Sequence, residues 1–100
     1  MTELSPPLTM ADREALALLA EECAEVIQAV GKLLRHGVMT LDEPSGTKYD
    51  NRAMLSRELG HVTIALALLP PTVYDDKISL ESAIRKSERI QPYLHHLKVT

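Results

Sequence analysis

The sequence contains no phenylalanine and no tryptophan, and its aromatic residues are limited to Tyr49, Tyr74 and Tyr93. β-Sheet proteins favour aromatic and β-branched residues, whereas helices pack well through leucine and alanine. Because the apolar 45% of the chain is mostly Leu, Ala, Val and Ile, the composition favours an all-α fold. The shortage of aromatic rings also leaves few side chains that can stack on a nucleobase.

Other absences narrow the class of protein. The single cysteine, Cys23, excludes an intrachain disulfide and is typical of a reducing compartment. The longest apolar run, Ile64–Leu69, is too short to cross a bilayer, and the N-terminus lacks a basic segment followed by an apolar core. A net charge of −3 without a basic run argues against binding to duplex nucleic acid. We therefore expect a cytoplasmic protein that acts on neither membranes nor duplex nucleic acid.

The first helical pattern covers about residues 10–36. Thr9 and Asp12 have the spacing of a capping box at its start, with Asp in place of the usual Glu, and Gly37 follows basic residues at its end. Apolar residues that recur every three or four positions form one stripe, which we expect to be buried: Leu16, Leu19, Cys23, Ile27, Val30 and Leu34. Within this stripe Cys23 is interpreted as a core residue rather than a nucleophile.

Two more helices are predicted after a loop over residues 37–50. Asp50 or Asn51 is suited to cap a second helix over 51–69, which ends at a Pro-Pro pair. A third helical pattern follows, and Pro92 is expected to kink or shorten it.

These elements predict an all-α fold, an antiparallel helical hairpin plus a third helix, in one domain over residues 9–100. Residues 1–8 contain a Pro-Pro pair and are expected to form a flexible N-terminal arm. Two long helices with broad apolar stripes would leave much apolar surface exposed in a monomer. We therefore expect a homodimer or homotetramer in which the first two helices of two copies form a four-helix bundle.

Two polar pairs at matching positions mark a candidate metal site. Glu22 and Glu25 are three residues apart in the first helix, and Glu58 and His61 are three residues apart in the second. At about 100° per residue, each pair lies at the same edge of its apolar stripe. If the stripes pack together, the four side chains converge, and a divalent cation would offset the repulsion between their carboxylates. Oxygen-rich sites of this kind suit Mg²⁺ or Mn²⁺.

The same spacing has a simpler interpretation. Charged residues flank most amphipathic stripes, so the acidic residues can form a solvated rim without any ligand. His61 can likewise be a polar residue at the rim that makes one hydrogen bond. Because the sequence has no glycine-rich phosphate loop, CxxC pair or nucleophile elbow, an enzyme hypothesis rests on the acidic group alone.

The segments around these pairs resemble the two signature helices of the MazG-like all-α nucleoside triphosphate pyrophosphohydrolases. The family pattern is EExxE on one helix and ExxD on the next. EECAE at Glu21–Glu25 matches the first motif in full, and ELGHV at Glu58–Val62 matches the second except that His61 replaces the aspartate. The likeness extends through the loop and loosely into the third helix, so it covers most of the chain. Each motif is short, and it is their order and spacing that make the resemblance specific.

The resemblance implies metal-dependent hydrolysis of a nucleoside triphosphate substrate to the monophosphate and pyrophosphate. It implies that Glu22, Glu25 and Glu58 are metal ligands, that His61 occupies the fourth ligand position, and that Glu21 orients water or a second metal. One of the carboxylates would act as general base. Mg²⁺ is the implied cofactor, with Mn²⁺ as an alternative because of the histidine.

The histidine leaves three outcomes open: an altered metal preference, weak activity, or loss of catalysis. Imidazole suits Mn²⁺, Zn²⁺ or Fe²⁺ better than Mg²⁺. Loss of catalysis would make the protein a helical bundle that binds nucleotide or a partner protein without turnover. A purely structural oligomer is the remaining class.

Four further residues are candidates for substrate binding. Lys32 and Arg35, near the end of the first helix, suit either the helix dipole or the phosphates of a nucleotide. Lys32 lies on the Glu25 side of the helix, whereas Arg35 lies further round. Lys48 in the loop and Asn51 after it lie where the resembling family approaches its nucleotide, and a surface residue and a helix cap are their respective alternatives.

Overall fold

The computed structural model describes residues 6–38 and 50–99, and all of its regular structure is helical. Three α-helices, α1 (Met10–His36), α2 (Asn51–Ala67) and α3 (Asp76–Arg89), are followed by a short 3₁₀-helix over Gln91–Tyr93. The all-α class predicted from composition is confirmed. None of the helices in these ranges combines the length and the apolar character needed to cross a membrane.

Both ends of α1 are set by local hydrogen bonds. The Thr9 hydroxyl accepts a hydrogen bond from the Asp12 amide at 3.0 Å, and the Asp12 carboxylate accepts one from the Thr9 amide at 3.0 Å. At the other end Gly37 has a φ of 76°, a left-handed conformation that favours glycine, and its amide donates to the Leu33 carbonyl at 2.8 Å. The predicted capping box and both bounds of the helix are confirmed.

α2 begins as predicted but ends two residues early. Asp50 is its cap, because the carboxylate accepts hydrogen bonds from the amides of Arg52 at 2.8 Å and Ala53 at 3.3 Å. The helix ends at Ala67 rather than at Leu69. The Pro-Pro pair accounts for the difference, since a residue before proline avoids the helical conformation and proline itself has no amide to donate.

Asn51 joins the start of α2 to the end of α1. Its side-chain amide donates to the Gly37 carbonyl at 2.9 Å, and its backbone amide donates to the Val38 carbonyl at 2.6 Å. The residue is only 2% exposed. These two bonds fix where α2 starts relative to α1 and thereby help to set which turns of the two helices face each other.

The packed surface between α1 and α2 is built around small residues. Ala29 on α1 and Ala65 on α2 are buried, and in each helix the alanine comes seven residues, about two turns, after an acidic residue, Glu22 or Glu58. Two turns bring the chain back to nearly the same side of the helix. The side of each helix that packs therefore includes its acidic residue.

The apolar stripe predicted for α1 is half-buried at Leu16 and Leu19 but exposed from Cys23 onward. Ile27 and Leu34 are 72% and 83% exposed, and Cys23 is exposed as well. These three residues lie about 100–140° around the helix from Glu22, whereas the buried Ala29 lies about 20° from it. The interpretation of Cys23 as a core residue is therefore wrong for the single chain, because α1 packs on α2 through the neighbouring side.

α3 belongs to a second compact unit that begins at Pro71, while α1 and α2 lie in the first. Asp75 caps α3 by accepting hydrogen bonds from the amides of Lys77 and Ile78. The helix ends at Arg89, before Pro92, which lies in the 3₁₀-helix. The prediction that Pro92 shortens the third helix is confirmed.

Candidate metal centre

Four side chains from α1 and α2 converge at one place. Glu22 and Glu25 are one turn apart on α1, and Glu58 and His61 are one turn apart on α2. Each offers one ligand atom, and these four atoms all lie within 4.8 Å of one another. The structure therefore brings together the four residues that the sequence predicted as metal ligands. We call them the acidic cluster.

Two of the three carboxylates in the cluster, those of Glu22 and Glu58, are largely covered. The side chains of Glu22 and Glu58 are 16% and 21% exposed, whereas that of His61 is 55% exposed. A fully solvated rim does not describe the two glutamates, which are half-buried on the packed sides of their helices. It describes the position of His61, which lies on the solvent side of the cluster.

One oxygen in the cluster lacks a hydrogen bond. Glu22 Oε2 is buried, and no group in the described part of the chain donates a hydrogen bond to it. His61 Nδ1 is near it at 3.5 Å, but the same nitrogen lies closer, at 3.3 Å, to Glu58 Oε2, with which it forms a hydrogen bond. A buried acceptor without a hydrogen-bond partner favours a ligand at this oxygen.

Crowding of the carboxylates changes the protonation of Glu25. The pKa of Glu25 is raised to about 6. The largest cause is a hydrogen bond with Glu58, followed by the negative charges of Glu22 and Glu58. Without a cation, the cluster therefore retains a proton at a pH where an isolated glutamate has lost it.

The donor set fits a divalent cation. Three carboxylates at this separation repel one another, and a cation held between them would replace the retained proton and would give Glu22 Oε2 a partner. Oxygen donors suit Mg²⁺ and Mn²⁺, and an imidazole nitrogen is also a common metal ligand. The four residues present would supply donors of the right kind and leave positions in an octahedral shell for water or a phosphate.

The raised pKa of Glu25 makes the stability of the metal-free protein depend on pH. Below about pH 4.5 the carboxyl is protonated in both the folded and unfolded chain. As pH rises toward 6, the unfolded chain loses this proton first, so the free energy of unfolding should fall through this window. We expect urea unfolding in EDTA to show this fall in wild type and a shallower one in Glu25→Gln. If the free energy of unfolding fell equally with pH in the two proteins, the raised pKa of Glu25 would be contradicted.

A cavity of about 200 Å³ adjoins the cluster. Glu25 and Glu58 belong to both, and the cavity continues along α1 past the buried Ala29 to Lys32. The positive charge of Lys32 thus lies in the cavity about two turns beyond Glu25. This agrees with the predicted position of Lys32 on the Glu25 side of the helix. The side chains that line the cavity are Glu25, Gln28, Ala29, Lys32, Met54 and Glu58.

The other predicted substrate-binding residues are placed differently. The Arg35 side chain folds back along α1, so that a Cβ built on Gly31 would lie 3.2 Å from its Nη1. Asn51 is buried in the link between the two helices, which accounts for it without a ligand. Lys48 lies outside the described residues. Glu21 is exposed, one turn before Glu25, and is not among the four residues whose ligand atoms converge.

Two residues of the cavity were not singled out in the sequence. Gln28 follows Glu25 by three positions, the spacing that puts two side chains on the same side of a helix, so this spacing could have indicated it. Met54 precedes Glu58 by four positions and could have been found in the same way. Both residues lie on the side of Glu25 and Glu58 that faces Lys32, away from His61.

Comparison with protein-family models, with curated proteins and with solved structures gives no match to this chain.

Proposed function

We propose that the protein hydrolyses a nucleoside triphosphate to the monophosphate and pyrophosphate with the help of a divalent cation. The observation that carries this proposal is the convergence of Glu22, Glu25, Glu58 and His61 within 4.8 Å, next to a cavity that contains Lys32. With a metal between the carboxylates and a phosphate, the acidic cluster and Lys32 could both contribute to binding the same anionic substrate. The resemblance of EECAE and ELGHV to the pyrophosphohydrolase motifs supports the same reaction.

The residues divide into two roles. The acidic cluster would hold Mg²⁺, or Mn²⁺, through three carboxylates and one imidazole. When bound, the ion would neutralise charge on the phosphates and increase the acidity of a water molecule. Lys32 would bind a phosphate oxygen at the far end of the cavity, and Gln28 and Met54 would line the space between. The predicted contribution of Glu21 is to orient water one turn from Glu25.

We further propose that α1 and α2 form an antiparallel hairpin that pairs with a second copy as a four-helix bundle, in a homodimer or homotetramer. The exposed apolar side chains of α1 support this assembly, since Ile27 and Leu34 are 72% and 83% exposed. Leu59 and Leu66 are also exposed on α2. Exposed apolar side chains aligned along a helix favour association in water.

The reaction is tested by incubating the purified protein with a panel of NTPs and dNTPs and Mg²⁺ or Mn²⁺, with EDTA in the control. Chromatography should show a nucleoside monophosphate, and a pyrophosphate assay an equal amount of pyrophosphate, only when metal is present. The panel would also rank bases and sugars. Release of inorganic phosphate and a diphosphate would contradict the proposed bond cleavage.

The second candidate function is a helical bundle that binds nucleotide or a partner protein without turnover. The observation that favours it is His61, which stands where the resembling motif has a carboxylate. Absence of turnover with every nucleotide and both metals, in protein that still binds metal, would support this function over the enzyme.

A further inference from the structure

The solvent side of the acidic cluster carries a nitrogen donor. His61 Nδ1 lies 3.3 Å from Glu58 Oε2 and 3.5 Å from Glu22 Oε2, so one ring nitrogen faces an oxygen from each helix. The third carboxylate, Glu25, has a ligand atom within 4.8 Å of a nitrogen of the same ring. The ring is thus directed toward the centre of the cluster rather than away from it.

This arrangement changes the chemistry of the donor set in two ways. Compared with a carboxylate at the same position, an imidazole removes one negative charge from the cluster, which weakens the attraction for a hard ion such as Mg²⁺. It also supplies a nitrogen, which borderline transition ions bind more strongly than Mg²⁺ does. Both effects act in the same direction, and neither depends on the identity of the substrate.

We infer that His61 is a specificity-determining residue, which through Nδ1 makes the cluster select Mn²⁺ and similar transition ions over Mg²⁺. The inference rests on the proposed use of the cluster as a metal site and adds which metal it takes. It assigns the preference to one side chain. Exchange of that side chain should therefore change the ratio of two metal affinities rather than abolish binding.

The experiment measures the dissociation constants of MgCl₂ and MnCl₂ by calorimetry, in the absence of nucleotide, for wild type, His61→Asp and His95→Asp. The last variant makes the same chemical change at an exposed histidine in the second compact unit. We expect wild type and His95→Asp to prefer Mn²⁺ strongly. In His61→Asp the ratio of the Mg²⁺ Kd to the Mn²⁺ Kd should fall by about 10-fold or more, mainly because Mg²⁺ binds more tightly.

A second measurement starts from the wild-type protein. Pulsed electron paramagnetic resonance of Mn²⁺-loaded wild type should show coupling to a directly bound ¹⁴N nucleus, and this coupling should be lost in His61→Asp; among the four clustered residues only His61 offers a nitrogen.

The outcomes separate the two proposals. Binding of both ions with the same ratio in wild type and His61→Asp, or a Mn²⁺ spectrum without nitrogen coupling, would overturn the role of His61 and leave the metal site intact. Binding of neither ion would overturn both proposals.

Discussion

Glu58→Gln should lower metal-dependent turnover by about 100-fold or more, because loss of even an outer partner of a metal ligand costs 10–100-fold. The amide keeps the shape of the side chain but removes the charge at a position where the side chain is only 21% exposed. Metal affinity should fall together with kcat. The measurement is monophosphate release at saturating nucleotide over a series of Mg²⁺ and Mn²⁺ concentrations.

Glu14→Gln is the matched control, since Glu14 is an exposed glutamate on α1 that lies outside the acidic cluster. It should retain wild-type activity. Circular dichroism should show the same helical content in both variants, because the substituted side chains do not cap a helix. Full activity of Glu58→Gln would exclude the acidic cluster as the catalytic site.

Lys32→Ala should lower kcat/KM by about 10–100-fold, the effect of losing a hydrogen bond to a charged group. Lys32 lines the cavity next to Glu25 and is the cation that α1 contributes to it. The loss should appear mainly as a higher KM if Lys32 binds the nucleotide before reaction, and mainly as a lower kcat if its contact strengthens in the transition state. Initial rates over a range of nucleotide concentrations distinguish these cases.

Arg35→Ala serves as the comparison for Lys32→Ala. Arg35 is the other cation predicted to contact phosphate, but its side chain lies back along the helix near Gly31 and does not line the cavity. Its replacement should therefore have the smaller effect on kcat/KM. Equal losses in the two variants would mean that the phosphates lie nearer the end of α1 than the cavity indicates.

The local features of the fold were readable from the sequence because they depend on neighbouring residues. The Thr9–Asp12 capping box, the glycine at position 37 and the acidic cap of α2 each involve groups within four positions along the chain. The pairing of Glu22 with Glu25 and of Glu58 with His61 is of the same kind, since helical geometry alone puts residues three apart on one side. Hence the four members of the cluster could be named in advance.

The side on which α1 and α2 meet was decided only by the tertiary structure. An apolar stripe identifies a surface that favours burial, but it does not say whether the partner is the next helix or another molecule. In this chain α1 packs through the side that carries Glu22 and Ala29, while Cys23 and Ile27 stay exposed. The same packing buries Glu22 Oε2, so this oxygen lies among packed side chains rather than on a solvated rim.

The sequence by itself therefore determined the three helices, the N-terminal caps of α1 and α2 and the two pairs of residues spaced three apart, because each follows from contacts within a few positions. Only the tertiary structure decided how deeply the carboxylates lie, that the cavity extends to Lys32 rather than Arg35, and that Asn51 joins two helices. These features depend on groups far apart in the chain, whose relative positions are fixed by packing and by hydrogen bonds between α1 and α2.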